Sequence, residues 1–410
     1  MALKPKQLIE IALGVLTSVG GYLDVGAVAT SAQAGAEFGF RHLWVLGLGT
    51  LVIIFLVEMA GRFAAVSGHP LRAAMRERLG FSFFVATSAA EMVVGTLVLA
   101  SEIGGICLAL QLVTGVAFRW WAAPVGLLVW ALLWNGTFGV LEKGVALLGL
   151  VTLAFVMAAV RLHPDAAQVA LSLVPSGPGG GDAARYWFIA VAILGALVSP
   201  YLLWFYSAGA VEDHWDAGEV GTNRIVSVVG MGFGAVVAAG VLIVAAMVFL
   251  PRGILVDDYT QIALGLTTAL QGNRGFYLFA ASLGVACLGA ALEASLAMAY
   301  VLAQGLGWNW GESLKPRRAA RFSVTYTAAI AVSVIPMLLG VDPLALTVFS
   351  MAITAVVLPL AIFPFMVLMN DERYLGRHRN GRLANGVVIG VIALAFILAV
   401  ITIPLQLMGG

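Results

Sequence analysis

Charge is what this chain has least of. Acidic and basic side chains together make up 10% of its 410 residues, and 22 basic against 21 acidic groups leave a net charge of +1. A soluble globular domain carries about 25% charged residues. The shortage excludes an ordinary soluble fold, and no basic tract suggests nucleic acid as a partner. Cysteine is nearly absent: Cys107 and Cys287 both lie in apolar stretches and are read as small core residues. No nucleotide loop, zinc spacing or nucleophile constellation occurs, so nothing points to an enzyme or a resident cofactor.

What the chain has instead is apolar length. Hydrophobic residues make up 61% of it and the mean hydropathy is +1.00. A helix needs about 20 apolar residues to cross a bilayer. Eleven candidate spans follow, at roughly 9–36, 43–67, 82–113, 119–137, 139–160, 187–211, 225–249, 275–305, 321–341, 343–369 and 385–408. The expected class is an all-α polytopic membrane protein with the lipid bilayer as its medium. The third and eighth spans are long enough to tilt or project beyond the bilayer.

The basic loops set an orientation. Arg72, Arg76 and Arg78 follow the second span, Lys315, Arg317, Arg318 and Arg321 the eighth, and Arg373, Arg377, Arg379 and Arg382 the tenth. With eleven spans these loops share a side with Lys4 and Lys6. The positive-inside rule makes that side, and the N-terminus, cytoplasmic, in a multi-pass protein of the plasma membrane. The loop carrying Glu212, Asp213, Asp216 and Glu219 is acidic, but acidic residues contribute little to orientation.

Residues 161–186 contain Pro175-Ser176-Gly177-Pro178-Gly179-Gly180-Gly181, which is flexible linker chemistry. Five spans precede this external connection and five follow in the opposite sense. The expected organisation is a first repeat over 1–160, the linker over 161–186, an inverted second repeat over 187–369, and a loop with the eleventh span over 370–410. Inverted repeats are a transporter architecture with the site between the halves.

Within the first span stands Gly21-Tyr22-Leu23-Asp24-Val25-Gly26-Ala27. A carboxylate at that depth costs about 2.5–3.5 kcal/mol on insertion scales and is a functional-site hypothesis by default. Glycines beside it weaken the helix and free backbone groups that can hold an ion. Lys4, Lys6 and Ala27-Val28-Ala29 also imitate a secretory signal and its cleavage site, but the segment runs on through Gln33 and Glu37. The sixth span has its own interruption at Gly195-Ala196-Leu197-Val198-Ser199-Pro200-Tyr201. Proline removes a backbone donor and pushes the preceding residue out of helical geometry. Two interrupted spans at matching places in two halves point to a substrate site.

Tyr22 to Thr30, followed by Gln33-Ala34-Gly35-Ala36 and Phe38-Gly39, resembles the first helix of Nramp metal-ion transporters. That family typically reads Asp-Pro-Gly-Asn there, then Gln-Ala-Gly-Ala. The sixth span resembles the family's Gly-Ala-x-Val-Met-Pro-His segment. Leu358-Pro359-Leu360-Ala361 and Asn370-Asp371-Glu372-Arg373 with Leu375-Gly376 are also similar. The resemblance implies a LeuT-type fold of two inverted five-helix repeats plus an eleventh helix, working as a monomer.

Family members that carry manganese and iron bind the metal with an aspartate, an asparagine, a methionine thioether and backbone carbonyls. By resemblance these positions are Asp24, Ala27, Ser199 and, for the carbonyl, Ala196. Losing the thioether and the amide leaves a roomier site of oxygen donors. Such donors suit magnesium, calcium and manganese, and magnesium keeps several waters. The pattern resembles the Nramp-related magnesium transporter branch. The expected cargo is Mg2+, with Mn2+ also accepted, as a partly hydrated divalent cation moved by alternating access. Family histidines fall at Tyr201 and Tyr206, and tyrosine does not titrate near neutral pH. A family aspartate falls on Leu99. None of His42, His69, His163, His214 and His378 lies at mid-membrane. A proton relay needs a chain of titratable groups, so uncoupled transport is expected, driven by about 4.6 kcal/mol per 100 mV for a divalent ion.

Further positions line the expected ion path. Gly21 belongs to the break itself. Glu102, beside Gly104 and Gly105, is either a second acid near the ion or a buried protonated acid. Glu293 either faces the cavity or pairs with another helix, the pairing being the preferred reading, and Glu58 with Arg62 is read as a structural pair. Family glutamines of the tenth helix fall on Met351 and Val357, with Thr354 polar toward the cavity and Met351 read as core packing. A proton-coupled Mn2+ or Fe2+ transporter is the alternative. A third reading is an amino-acid or amine transporter of the same fold, where Asp24 would repel a carboxylate but could hold an amine.

Overall fold

A computed structural model describes residues 24–135, 150–270, 273–312 and 314–407. Gly21, the start of the first span and the first half of the fifth lie outside the described residues. Among those described, every regular element is helical.

The described part of the first span begins at Asp24. Its backbone is extended (φ −96°, ψ 177°) and α1 (Val25–Phe38) begins at the next residue. Gly39 ends α1 with φ +63°, a left-handed conformation that glycine adopts without strain. After a tight turn at Gly39–His42 comes α2 (Leu43–Ser67), then a short α3 (Leu71–Leu79) and the long α4 (Phe81–Thr114). α5 (Phe118–Trp134), α6 (Leu153–Arg161) and a linker helix α7 (Ala166–Leu171) complete the first half. The second half has α8 (Ala183–Leu197), α9 (Pro200–Glu212), α10 (Val220–Val248), α11 (Tyr259–Leu270), α12 (Asn273–Leu306), α13 (Ala320–Leu338) and α14 (Pro343–Leu368). A single turn, α15 (Glu372–Leu375), and α16 (Arg382–Leu407) close the chain.

Among the described residues, eight stretches are long and apolar enough to cross a membrane, and Phe118–Trp134 and Leu150–Arg161 are shorter apolar helices. One of the eight, Val25–Ser67, is divided by the turn at Gly39 into α1 and α2. With that division each of the eleven expected spans overlaps a described apolar helix or helix pair. α4 and α12 are 34 residues each, the long third and eighth spans.

α1 is the central rod. Every residue of it except Glu37 is buried, and α4, α8, α10, α12 and α14 all touch it. Small residues permit the approach. A side chain at Gly35 would collide with the backbone carbonyl of Leu242 on α10. α16 is the least buried span and turns Ile389, Phe396, Ile397 and Val400 outward.

The three arginine-bearing connections meet at one end. Arg76 donates to the carbonyl of Gly305 at 2.6 Å, Arg78 pairs with Asp371, and Tyr374 bonds Glu77. Arg62 pairs with Glu58 at 3.0 Å, the expected spacing, and also holds the carbonyl of His378 and the side chain of Asn380. The linker is fastened rather than loose. Arg41 donates to the carbonyl of Gly177, and Tyr186 donates to that of Ser176 at 2.6 Å. Its glycines give freedom to the isolated chain, and these bonds remove it.

Candidate metal site

The site starts at the N-terminus of α1. The first N–H groups of a helix have no partner within it. Asp24 caps them: Oδ1 accepts from Ala27 N–H at 2.7 Å. The N–H of Val25 is met by Glu102 of α4, with both carboxylate oxygens at 3.3 Å. The positive end of the helix dipole favours negative charge at this place. Asp24 and Glu102 are both 0% exposed. Asp24 Oδ2 is buried with no hydrogen-bond partner among the described residues.

The second half of the site is the gap between α8 and α9. Val198 (φ −107°, ψ 56°) and Ser199 (φ −74°, ψ 120°) leave helical geometry, and Pro200 opens α9 as its first residue. Proline suits that position because its missing N–H would have been unpaired anyway. The Ser199 hydroxyl donates to the Ala196 carbonyl at 2.9 Å. One lone pair of that carbonyl and those of the hydroxyl oxygen stay available to a cation.

Met351 of α14 registers the start of α1 against the gap between α8 and α9. A side chain on Gly26 would lie 2.6 Å from its sulfur. One on Gly195 would collide with its backbone carbonyl. A glycine at both places lets α1 and α8 close on the same residue of α14. Met351, read from sequence as core packing, is buried, and its thioether faces Gly26, two residues past Asp24.

The other expected residues separate into two groups. Tyr201 is buried at the start of α9, within electrostatic reach of Asp24, Glu102 and Glu293. Glu293 is within electrostatic reach of Glu102, in keeping with the cavity-facing placement, one of the two the sequence left open. Ala27 brings no side-chain donor, and its N–H is spent on Asp24. Thr354 is buried and donates to the carbonyl of Ser350 at 2.8 Å, while Ser350 meets Ser101, the neighbour of Glu102, at 3.1 Å. Tyr206 is not gathered with them. Its hydroxyl donates to Asn223 Oδ1 at 2.9 Å, and Asn223 donates to the Glu58 carbonyl, a junction of α2, α9 and α10.

Two groups have no clear signal in the sequence. Cys287 of α12 packs against Gly105 of α4, within electrostatic reach of Glu102, so one expected core cysteine borders the site. Arg72 of α3 is buried between Phe84 and Trp204, with its guanidinium 5.3 and 5.0 Å from the ring centres. It donates to Ser88, and Glu91 of α4 is its electrostatic partner. Burial pushes its pKa down to about 10 against the pull of Glu91, so it stays charged at neutral pH. Trp204 lies one turn from Pro200, which ties this cation to the lower helix of the break.

Residues 14–404 match the profile of the family described as "Natural resistance-associated macrophage protein-like", Nramp. The chain belongs to the Nramp family. Among the relatives of this Nramp chain is a "Divalent metal cation transporter MntH" of Mesorhizobium japonicum, 30% identical, over 96% of this chain and 86% of the relative. The protein of the same name from Deinococcus radiodurans is 27% identical over 93% and 86%. A crystal structure of a mutant of the Eremococcus coleocola manganese transporter superposes with a TM-score of 0.82 at 20% identity and covers 100% of this chain and 90% of that one. The fold is the LeuT type.

Proposed function

We propose that this Nramp protein carries divalent metal cations across the plasma membrane, with Mg2+ as its main cargo and Mn2+ also accepted. The carrying observation is the buried Oδ2 of Asp24, without a hydrogen-bond partner among the described residues, together with the break between α8 and α9, which offers oxygen from Ala196 and Ser199. Hard oxygen donors suit both ions, and Mg2+ tolerates a site that leaves it some of its water. The ion sits between two inverted repeats, and alternating access exposes it to each side in turn. Arginines concentrated at one end make that end and the N-terminus cytoplasmic. The working unit is a monomer.

Transport in this proposal is not coupled to protons. Among the described residues, the groups that feel Asp24 include Glu102, Tyr201, Tyr259 and Cys287, and no histidine is among those named. His42, for example, is stacked on Tyr186 and bonded to its carbonyl. The competing proposal, proton-coupled manganese transport, draws on the Met351 sulfur at Gly26 and on Glu102 and Glu293 as acids.

Calorimetric titration of the purified protein with Mg2+ and with Mn2+ tests the ion choice. Wild type binds both and Asp24→Asn binds neither with measurable heat. Binding of Mn2+ alone would overturn the magnesium assignment, and full binding without Asp24 would overturn the site.

A further inference from the structure

The connection between α12 and α13 keeps its charge unpaired. Lys315, Arg317, Arg318 and Arg321 are exposed, and none of them forms an ion pair among the described residues. No acidic residue occurs between Glu312 and Asp342. Elsewhere at this end of the bundle Arg62 is paired with Glu58, Arg78 with Asp371 and Arg379 with Glu372. The unpaired cations are nevertheless held in place. Arg318 N–H donates to the Lys315 carbonyl at 2.8 Å, closing a turn with Pro316 at its second position. The side-chain amide of Asn309 donates to the Arg318 carbonyl at 3.3 Å. The Arg321 guanidinium lies 5.4 Å from the ring centre of Trp308.

These cations also stand where a helix disfavours them. Arg321 is in the first turn of α13, at the positive end of the helix dipole. Ala319, just before the helix, brings no side-chain cap. Beyond Arg321 the same face of α13 carries Val324, Ala328, Val332 and Ile335, all exposed. Spacings of three and four residues keep them in one stripe. From Val324 to Ile335 it runs about 17 Å at 1.5 Å per residue. On a membrane-spanning helix such a stripe faces acyl chains. Trp308, half-buried against Arg321, is of the residue type enriched at headgroup level.

We propose that the turn at 315–318, Arg321 and the stripe beyond it form a binding site for an anionic phospholipid. The phosphate sits on Arg317, Arg318 and Arg321, and an acyl chain follows the stripe from Val324 to Ile335. Guanidinium groups take phosphate oxygens in pairs, and basic clusters beside a membrane helix select anionic lipids. A negative headgroup offsets both the clustered cations and the helix end. Placing the lipid in the cytoplasmic leaflet rests on the orientation proposed above; the binding itself does not. The site adjoins the lower helix of the break. Phe322, next to Arg321, packs on Tyr300 with ring centres 5.1 Å apart, and the Tyr300 hydroxyl donates to Glu212 at the end of α9. Glu212 also accepts from Glu312 N–H at 3.0 Å, so a lipid that holds this connection steadies α9.

The test counts lipid retained by the detergent-purified protein. Dioleoylphosphatidylglycerol or dioleoylphosphatidylcholine is added, and native mass spectrometry reads the bound fraction. Each arginine beside an anionic lipid is worth about fivefold, so wild type prefers phosphatidylglycerol by at least tenfold. Arg317→Gln with Arg318→Gln and Arg321→Gln brings the two lipids to parity. Arg317→Gln with Arg318→Gln alone keeps the stack on Trp308 and loses most of the preference. Arg119→Gln with Arg161→Gln and Arg274→Gln removes three exposed arginines remote from the turn and keeps the preference. Phosphatidylglycerol raises the melting temperature of wild type and of this control, and leaves that of the 317, 318, 321 variant unmoved. Equal preference in wild type and that variant would overturn the inference, as would an equal loss in the control. Displacement of phosphatidylglycerol by millimolar inorganic phosphate would overturn it too, since the site would then take a soluble anion. None of these readings depends on ion flux, so a failure of the proposed transport function leaves them standing.

Discussion

Asp24 and Glu102 terminate the same helix from two directions. Asp24 caps α1 through Ala27 N–H at 2.7 Å, and Glu102 reaches from α4 to Val25 N–H at 3.3 Å. The helix end holds both acids where hydrocarbon alone would reject them. It occupies Oδ1 of Asp24 and leaves Oδ2 free of protein partners among the described residues.

That division of labour separates fold from function at one residue. Asparagine caps a helix about as well as aspartate. Asp24→Asn therefore melts within a few degrees of wild type and loses at least 90% of ion uptake. Asp24→Ala loses uptake and also about 1 kcal/mol of cap stability. Thermal melts beside uptake assays check both; a substantial residual uptake by Asp24→Asn would contradict the role of the charge.

Gly26 and Gly195 make different demands on Met351. At Gly26 a methyl group meets the flexible end of its side chain, and at Gly195 its backbone carbonyl. Gly26→Ala cuts uptake severalfold, and Met351→Ala in the same chain restores part of it. Gly195→Ala is the more damaging change, and Met351→Ala does not rescue it, because no side-chain truncation removes a carbonyl. Uptake by the four variants decides, and equal rescue of both would contradict the packing.

Ser199→Met returns a soft donor to the break between α8 and α9. Thioethers favour transition metals over magnesium. The ratio of Mn2+ to Mg2+ uptake rises at least tenfold in this variant. An unchanged ratio in competition flux would remove Ser199 from the ion's contacts.

Arg72 fixes the lower helix of that break by charge and stacking together. Breaking a buried pair by deleting one partner costs about 3–5 kcal/mol, so Arg72→Ala lowers the melting temperature sharply. Arg72→Lys recovers little, because an ammonium lacks the planar face that stacks on Phe84 and Trp204. Melting curves of the two variants check this, and full recovery by lysine would contradict the stacking.

The spans were legible because membrane crossing is written in apolar length, and the Asp24 cap and the α8–α9 break because aspartate and proline are costly inside a membrane helix. α3, α7 and α11 are too short for that signal. Tyr206 shows the limit of counting along a helix. Seven residues past Ser199 return to nearly the same face, but about 10 Å farther along the axis, and the side chain lands at Asn223. Met351, Cys287 and the Arg72–Glu91 pair were hidden for another reason. Helices apolar on every side carry no face preference in their sequence, so which residue of α14 meets Gly26 is decided only by three-dimensional packing.

The central claim is a divalent ion carried at Asp24 without a proton. Its most direct test is flux into liposomes holding purified protein, with equal pH on both sides, an inside-negative potassium diffusion potential, and internal pH recorded throughout. Wild type takes up Mg2+ and Mn2+ while internal pH stays flat, and Asp24→Asn takes up neither. Mn2+ entry with internal acidification and no Mg2+ flux would contradict both the ion and the mechanism, and would make Met351, Glu102 and Glu293 the residues to test next.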